Sequence, residues 1–426
     1  MIVRKNAPAI KAPVDVDIQL QPYVSFHLKN GVPVYLVEGG AQEVLQVECV
    51  FDAGNWFEEK NLVAATANFL MKNGTTQKSA FEINAAVDFY GAYLNRSCYN
   101  ETATLTLHCL NKDVEHLLPL MEELLTSANF PEEELTIYRQ NQLQRLEVNL
   151  KKCDFVANRL IDAYLYGADH PYGKYSTPED YASITRNDLV EFYQKFYVNG
   201  HCKIFVSGKI PAGIHALLDK HFGHLSILPQ SIARPVHKAT PAEQLHYEIV
   251  QDPNGVQGAI RMARPFHNRH HPDFIGSQIL NNLFGGFFGS RLMSNIREDK
   301  GYTYGIYSYL QNHLGESAWI ISTEAGRDVC KATIQEVHHE MKRLREELVD
   351  DEELDLVKNY MMGVLLGDVD GPFQVCARWK NYILHGVDDT YFQKTIETIR
   401  TIDGKEIQRL ANEYLHPEAF YELTVI

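Results

Sequence analysis

The chain repeats itself, and a chain built from one motif twice has few folds open to it. Phe130-Pro131-Glu132-Glu133-Glu134-Leu135 is answered roughly 218 residues later by Val349-Asp350-Asp351-Glu352-Glu353-Leu354. Both read as openings of long helices, with acidic first turns that suit the positive helix N-terminus. Ile184-Thr185-Arg186-Asn187-Asp188-Leu189 is likewise answered by Ile402-Asp403-Gly404-Lys405-Glu406-Ile407. Each of these predicts a capped amphipathic helix running into a strand, at Cys202–Val206 in the first half and Tyr421–Ile426 in the second. Earlier strands alternate with period two, as in Val34-Tyr35-Leu36-Val37 and Gln46-Val47-Glu48-Cys49-Val50. The pattern predicts an α+β protein of two homologous domains, each an antiparallel-rich sheet packed with helices. The proline-punctuated stretch from Ile227 to Pro241 reads as an extended connector. The expected organisation is therefore a domain over 1–226, a linker over 227–244 and a second domain over 245–426.

The 426 residues carry a formal net charge of −15, which argues against nucleic acid as a partner because phosphate neutralisation needs a basic face. Seven cysteines with no C-x-x-C pair read as scattered reduced thiols. The N-terminal stretch has no apolar core of the signal-peptide kind, and no run of 18 apolar residues occurs. A soluble, cytoplasmic protein without a membrane span is the expectation.

Two segments carry the chemical argument. Residues 64–75 read Ala-Ala-Thr-Ala-Asn-Phe-Leu-Met-Lys-Asn-Gly-Thr, a helix-compatible run into a Gly-Thr stop. In the second half, Phe284-Gly285-Gly286-Phe287-Phe288-Gly289-Ser290-Arg291-Leu292 precedes Asn295-Ile296-Arg297-Glu298-Asp299-Lys300-Gly301-Tyr302-Thr303-Tyr304. With the duplication, these resemble the inverted-zincin metallopeptidases of the pitrilysin, insulinase and mitochondrial processing peptidase type, over nearly the whole chain. That family binds zinc through H-x-x-E-H, whose two His are ligands and whose Glu is the general base. The resemblance places the His positions at Ala65 and Phe69, the Glu position at Asn68, and the third ligand, a Glu on a later helix, at Arg145. Methyl and phenyl groups cannot ligate a metal, an amide cannot take a proton from water, and a guanidinium repels a cation. By this resemblance the chain is a non-catalytic subunit that has no metal or cofactor of its own.

The second segment keeps what the first has lost. In dimeric members the Arg and the Tyr seven residues on, here Arg297 and Tyr304, reach toward the zinc site of the other chain. A guanidinium fork and a phenol there can donate to a carbonyl or a developing oxyanion. Gly285, Gly286, Ser290 and Arg291 are the accompanying candidates for substrate contact. The resemblance implies a homologous zinc-bearing partner subunit, with zinc in that partner, and peptide substrates; a homodimer of the isolated chain stays open. The alternative is a purely structural scaffold subunit of the same fold, and a third reading is an unrelated soluble α+β enzyme.

Other groups point less far. His267, His270 and His271 read as a polar loop, and His338-His339-Glu340 as a solvated helix face. His170-Pro171-Tyr172-Gly173 suggests a fixed turn. Ser290 has no evident His–Asp pair, and the Gly-rich turn lacks the Lys-Ser/Thr of a phosphate loop.

Overall fold

The computed structural model describes residues 11–230 and 233–426. The N-terminal stretch up to residue 10, on which the reading of a missing signal peptide rests, and Ser231 and Ile232 of the expected linker lie outside the described residues. The chain forms two compact units.

One unit is built from Pro22–Asn254 with Gly371–Lys380 and Leu423–Ile426. Its sheet has six strands: β1 (Val24–His27), β2 (Pro33–Glu38), β3 (Val44–Phe51), β4 (Tyr93–Cys98), β5 (Ala103–Leu110) and β6 (Cys202–Gly208). They lie in the order β1-β2-β6-β3-β5-β4. Only β2 and β6 run parallel; every other neighbouring pair is antiparallel. Val47 faces Leu107 on one side and Val206 on the other, and all three are buried. One face is unusually polar for a buried surface. Glu48 on β3 receives both a hydrogen bond from Thr106 and an ion pair from Lys380, whose Nζ lies 2.9 and 2.8 Å from its two oxygens.

The other unit comprises Gly255–Asp370 and Asn381–Glu422 together with the described residues before Pro22. That early segment is tied down: Arg400 donates to the carbonyls of Val14 and Val16, and Val14 N–H donates to Asn359. The second sheet contains β7 (His246–Ile249), β8 (Gln257–Phe266), β9 (Thr303–Asn312), β10 (Ser317–Gly326) and β11 (Tyr421–Val425), in the order β7-β11-β8-β10-β9. β10 is antiparallel to both neighbours, with a register shift against β9 between Thr323 and Ala325. Two antiparallel-rich sheets packed with helices are what the duplicated pattern predicts.

The repeated helix signals are present. Glu132–Asn149 and Asp351–Gly367 are the two long helices with acidic first turns. The second is capped by Asp350, whose carboxylate accepts from Glu353 N–H. Arg186–Tyr193 begins with a capping box between Thr185 and Asp188, and Gly404–Tyr414 with Asp403 accepting from Glu406 N–H. The described part of the connector is held at several points. Trp56 Nε1 donates to Pro235 O at 3.0 Å, and the N–H groups of Thr240 and Ala242 bond to Tyr166 O and Tyr164 O. The cysteines are free thiols.

Candidate functional site

The helix at the expected zinc position spans Val63–Leu70, and Gly74 follows it in an extended conformation against Pro131 and the Asn129 side chain, where a Cβ would not fit. Ala65 and Phe69, one turn apart, share the helix's more open side, with Phe69 39% exposed. Phe69 is not a loose ring. Its centroid lies 4.9 Å from that of Tyr138 on the helix Glu132–Asn149, and the Arg96 guanidinium sits 4.4 Å over it. Arg96 Nε also donates to Phe69 O at 2.6 Å. Burial pushes the Tyr138 phenol up to about 12, against the pull of Arg145, which is exposed on the same helix. Asn68 turns the other way: it is buried, and its amide donates to Thr104 O and Tyr197 Oη. None of the four side chains is an imidazole, a thiolate or a carboxylate, and the Asn68 amide is turned inward. The residues therefore do not fit a zinc ion, and no three His, Cys, Asp or Glu among the described residues group as a metal site.

The second segment folds as a distorted helix pair against β9. Gly285 is required by close approach, since a Cβ there would lie 2.7 Å from Ser308 Cβ and 3.0 Å from Ser308 N. A Cβ on Gly286 would meet the Asn282 side chain at 2.7 Å. Ser290 is buried, with its Oγ lacking a hydrogen-bond partner among the described residues. Arg291 is a bidentate partner of Glu353, Nε to Oε1 and Nη2 to Oε2 each at 2.8 Å, with a side chain only 9% exposed. These four residues shape the segment and seat it on its neighbours.

The helix Met293–Asp299 is widened to i→i+5 hydrogen bonding, a form that recurs at functional sites. It ends at Gly301, whose φ of +67° favours glycine and turns the chain into β9. That turn brings Tyr304 back to Arg297. The guanidinium carbon lies 5.4 Å from the Tyr304 ring centroid and 4.5 Å from that of Phe288. Arg297 is half-buried, Tyr304 is 90% exposed, and neither side chain has a hydrogen-bonding or ion-pair partner among the described residues. Two rings hold the fork in place while its N–H groups stay unspent. The sequence reading singled out Arg297 and Tyr304 but not Phe288, although an aromatic beside the Gly-rich turn was visible. Arg96 gave no signal at all.

Two lesser readings change. His338-His339-Glu340 is not simply a solvated face: Glu340 is buried and accepts from Asn295 Nδ2 and Arg343, and His338 Nε2 lies 2.7 Å from Glu422. Glu340 is thus enclosed on that side, while His339 stays exposed to solvent. The His267 loop is a loop, but His267 stacks on His271 at 3.8 Å, and burial holds its imidazole down at about 4. His170 is buried between Trp56 and Tyr172, as a fixed turn requires.

Comparison with known proteins adds independent information. Residues 36–170 match a family model described as "Insulinase (Peptidase family M16)", and residues 183–361 match one described as "Peptidase M16 inactive domain". An uncharacterized zinc protease, YmxG, of Bacillus subtilis is 22% identical over 398 residues, covering 90% of this chain and 94% of its own. A Helicobacter pylori protein named "Non-peptidase homolog YmxG" is 23% identical over 343 residues, covering 78% of this chain and 77% of its own. A Pseudomonas fluorescens structure titled as a peptidase M16 inactive domain superposes with a TM-score of 0.81 at 20% identity, covering 95% of this chain and 98% of its own. The "inactive" description attaches to 183–361 and so does not bear on the helix Val63–Leu70.

Proposed function

Because the chain belongs to the M16, or insulinase, peptidase family, we propose that it is a non-catalytic subunit of a zinc metallopeptidase, supplying Arg297, Tyr304 and half of a peptide chamber to a homologous partner that carries H-x-x-E-H. The observation that carries this reading is the contrast between the two segments. At the four expected zinc positions the chemistry is replaced by a ring, a methyl, an inward amide and a guanidinium. At Arg297 a guanidinium is positioned by Phe288 and Tyr304 and left without an anion. A folding role alone would spend that charge, as Arg291 spends its own on Glu353.

In this reading the Arg297 N–H groups and the Tyr304 hydroxyl donate to a peptide carbonyl, and the charge-assisted bonds tighten as negative charge develops on its oxygen. The name "Non-peptidase homolog" borne by the Helicobacter pylori relative accords with a chain that cleaves nothing alone.

The test is reconstitution with a homologous chain that contains H-x-x-E-H. Peptide cleavage by the pair should fall by roughly 10²–10³ in Arg297→Ala, the usual cost of one lost oxyanion donor. Tyr304→Phe should also lower it, and both variants should still assemble on size exclusion. Unchanged cleavage in both variants leaves the scaffold reading in place of this one.

A further inference from the structure

Asn-Gly occurs four times in the chain, at 30–31, 73–74, 199–200 and 254–255. The pair is chemically labile, because glycine has no Cβ to keep its nitrogen away from the preceding side-chain amide. Folding ties three of the four side chains. Asn30 Nδ2 donates to the carbonyls of Phe222 and Leu225, and its Oδ1 accepts from Val32 N–H. Asn73 Nδ2 lies 2.7 Å from Glu134 Oε2, and Asn199 Nδ2 donates to Gln194 O at 2.9 Å. At the first pair the attacking nitrogen is engaged as well, since Gly31 N–H donates to Leu28 O.

Asn254 differs on each count. It stands exposed in the turn between β7 and β8, and its side-chain amide has no partner among the described residues. The Gly255 N–H is likewise unbonded among them. The turn is anchored on either side of this peptide bond. Gln251 and Asp252 N–H donate to Ile426 O, and Arg327 N–H donates to Val256 O. Asp252 Oδ1 holds the Asn254 N–H at 2.9 Å, which leaves the side chain free to meet the nitrogen that follows it.

We propose that Asn254 is a modification site, where the chain deamidates and isomerises through attack by the Gly255 nitrogen. That nitrogen gives its proton to solvent and forms a bond to Asn254 Cγ. The bond from Cγ to Nδ2 breaks, and ammonia leaves with its electron pair and a proton from water. Water then opens the cyclic imide. Opening at Cγ leaves an aspartate in an ordinary backbone. Opening at the main-chain carbonyl carbon routes the backbone through Cγ and lengthens it by one methylene. One water is consumed and one ammonia released, with no oxidant or reductant. The two compact units divide between Asn254 and Gly255, so the product puts a new carboxylate and a longer link at that boundary.

The experiment incubates the full folded chain in warm, mildly alkaline buffer and follows amide loss in each Asn-Gly peptide by mass spectrometry. Asn254 should react at least about tenfold faster than Asn30, Asn73 or Asn199, the factor expected where one or two hydrogen bonds must first break. In the urea-unfolded chain the four rates should converge, because only the fold separates them. Gly255→Ala should slow the reaction, since a Cβ hinders the attacking nitrogen, and Asn254→Gln should remove the fast site. Should either variant not fold, the wild-type product decides: an isoaspartyl carboxyl methyltransferase with labelled S-adenosylmethionine should methylate it. Equal rates at the four sites in folded protein, a faster site among the tied three, rates that stay apart in urea, or a product without the isoaspartyl linkage would each overturn the proposal.

Discussion

The rings of Phe69 and Tyr138 pack 4.9 Å apart, joining the helix Val63–Leu70 to the helix Glu132–Asn149. An aromatic contact closed by the Arg96 guanidinium thus stands where the resemblance places a metal ligand. The contact holds two helices together without any ion.

Phe69→Ala should therefore cost stability, but less than a core Phe would. The ring is 39% exposed, so the loss is one aromatic pair and one cation–π contact, about 1–2 kcal/mol together. Chemical denaturation should show a lower midpoint at unchanged slope. A loss as large as that of a fully buried Phe would mean that the ring supports far more of the unit than its contacts imply.

Introducing Ala65→His, Asn68→Glu, Phe69→His and Arg145→Glu together should give the folded chain stoichiometric zinc at this helix, and the parent chain should show none there. Triple variants should bind far more weakly, because an incomplete shell matches the ion poorly. Asn68→Glu carries its own cost, since it places a carboxylate where the amide now donates to Thr104 O and Tyr197 Oη. Metal analysis of folded protein after removal of free zinc decides, and a folded quadruple variant without zinc would reject this register.

Arg291 and Arg297 should behave as opposites. Arg291→Ala strands the partly buried Glu353 carboxylate and should cost about 3 kcal/mol. Arg297→Ala gives up only contacts with two exposed rings and should cost no more than about 1 kcal/mol. Thermal melts of the two variants side by side check the order, and a reversed order would mean that Arg297 is the structural one.

Acidity should reach the unit through Glu58. Burial pushes this carboxyl up to about 7 from 4.5, against hydrogen bonds from the N–H groups of Ala64 and Leu62 at the start of the helix Val63–Leu70. The unfolded chain gives up this proton near 4.5 and the folded chain only near 7, so the folded state holds the extra proton in between. Stability should therefore fall as pH rises through that window, by about 3 kcal/mol, and level off above it. Glu58→Gln should flatten this part of the profile in urea titrations run at several pH values. An unchanged slope would assign it to other groups.

Much of the architecture was legible because duplication repeats its own signals. Acidic helix starts at Glu132 and Asp351 and caps at Thr185 and Asp403 are local, and local chemistry survives being read as a string. Arg297 and Tyr304 could be named because the continuous stretch from Phe284 to Tyr304 resembles one family motif, although their spacing alone says nothing. Arg291 looked like their companion, and only the Glu353 side chain, 62 residues away, shows where its charge goes. Asp52 and His201 are separated by 149 residues and Glu48 and Lys380 by 332, and no spacing rule reaches that far. The Arg96–Phe69 stack was hidden for the same reason.

Lys380 has a bearing on how such a chain can change over time. Its ten-residue segment, 371–380, lies late in the sequence yet belongs to the unit formed by Pro22–Asn254, where it neutralises Glu48. The described residues before Pro22 belong, conversely, to the unit formed mostly by later residues. A gene cut between Asn254 and Gly255 would release a first half with an unmatched carboxylate on its sheet and a second half whose Arg400 and Asn359 side chains have lost Val14 and Val16. Each half of the sequence therefore lacks groups that complete its own unit, and those groups lie in the other half. Expressing either half alone would not reproduce either unit.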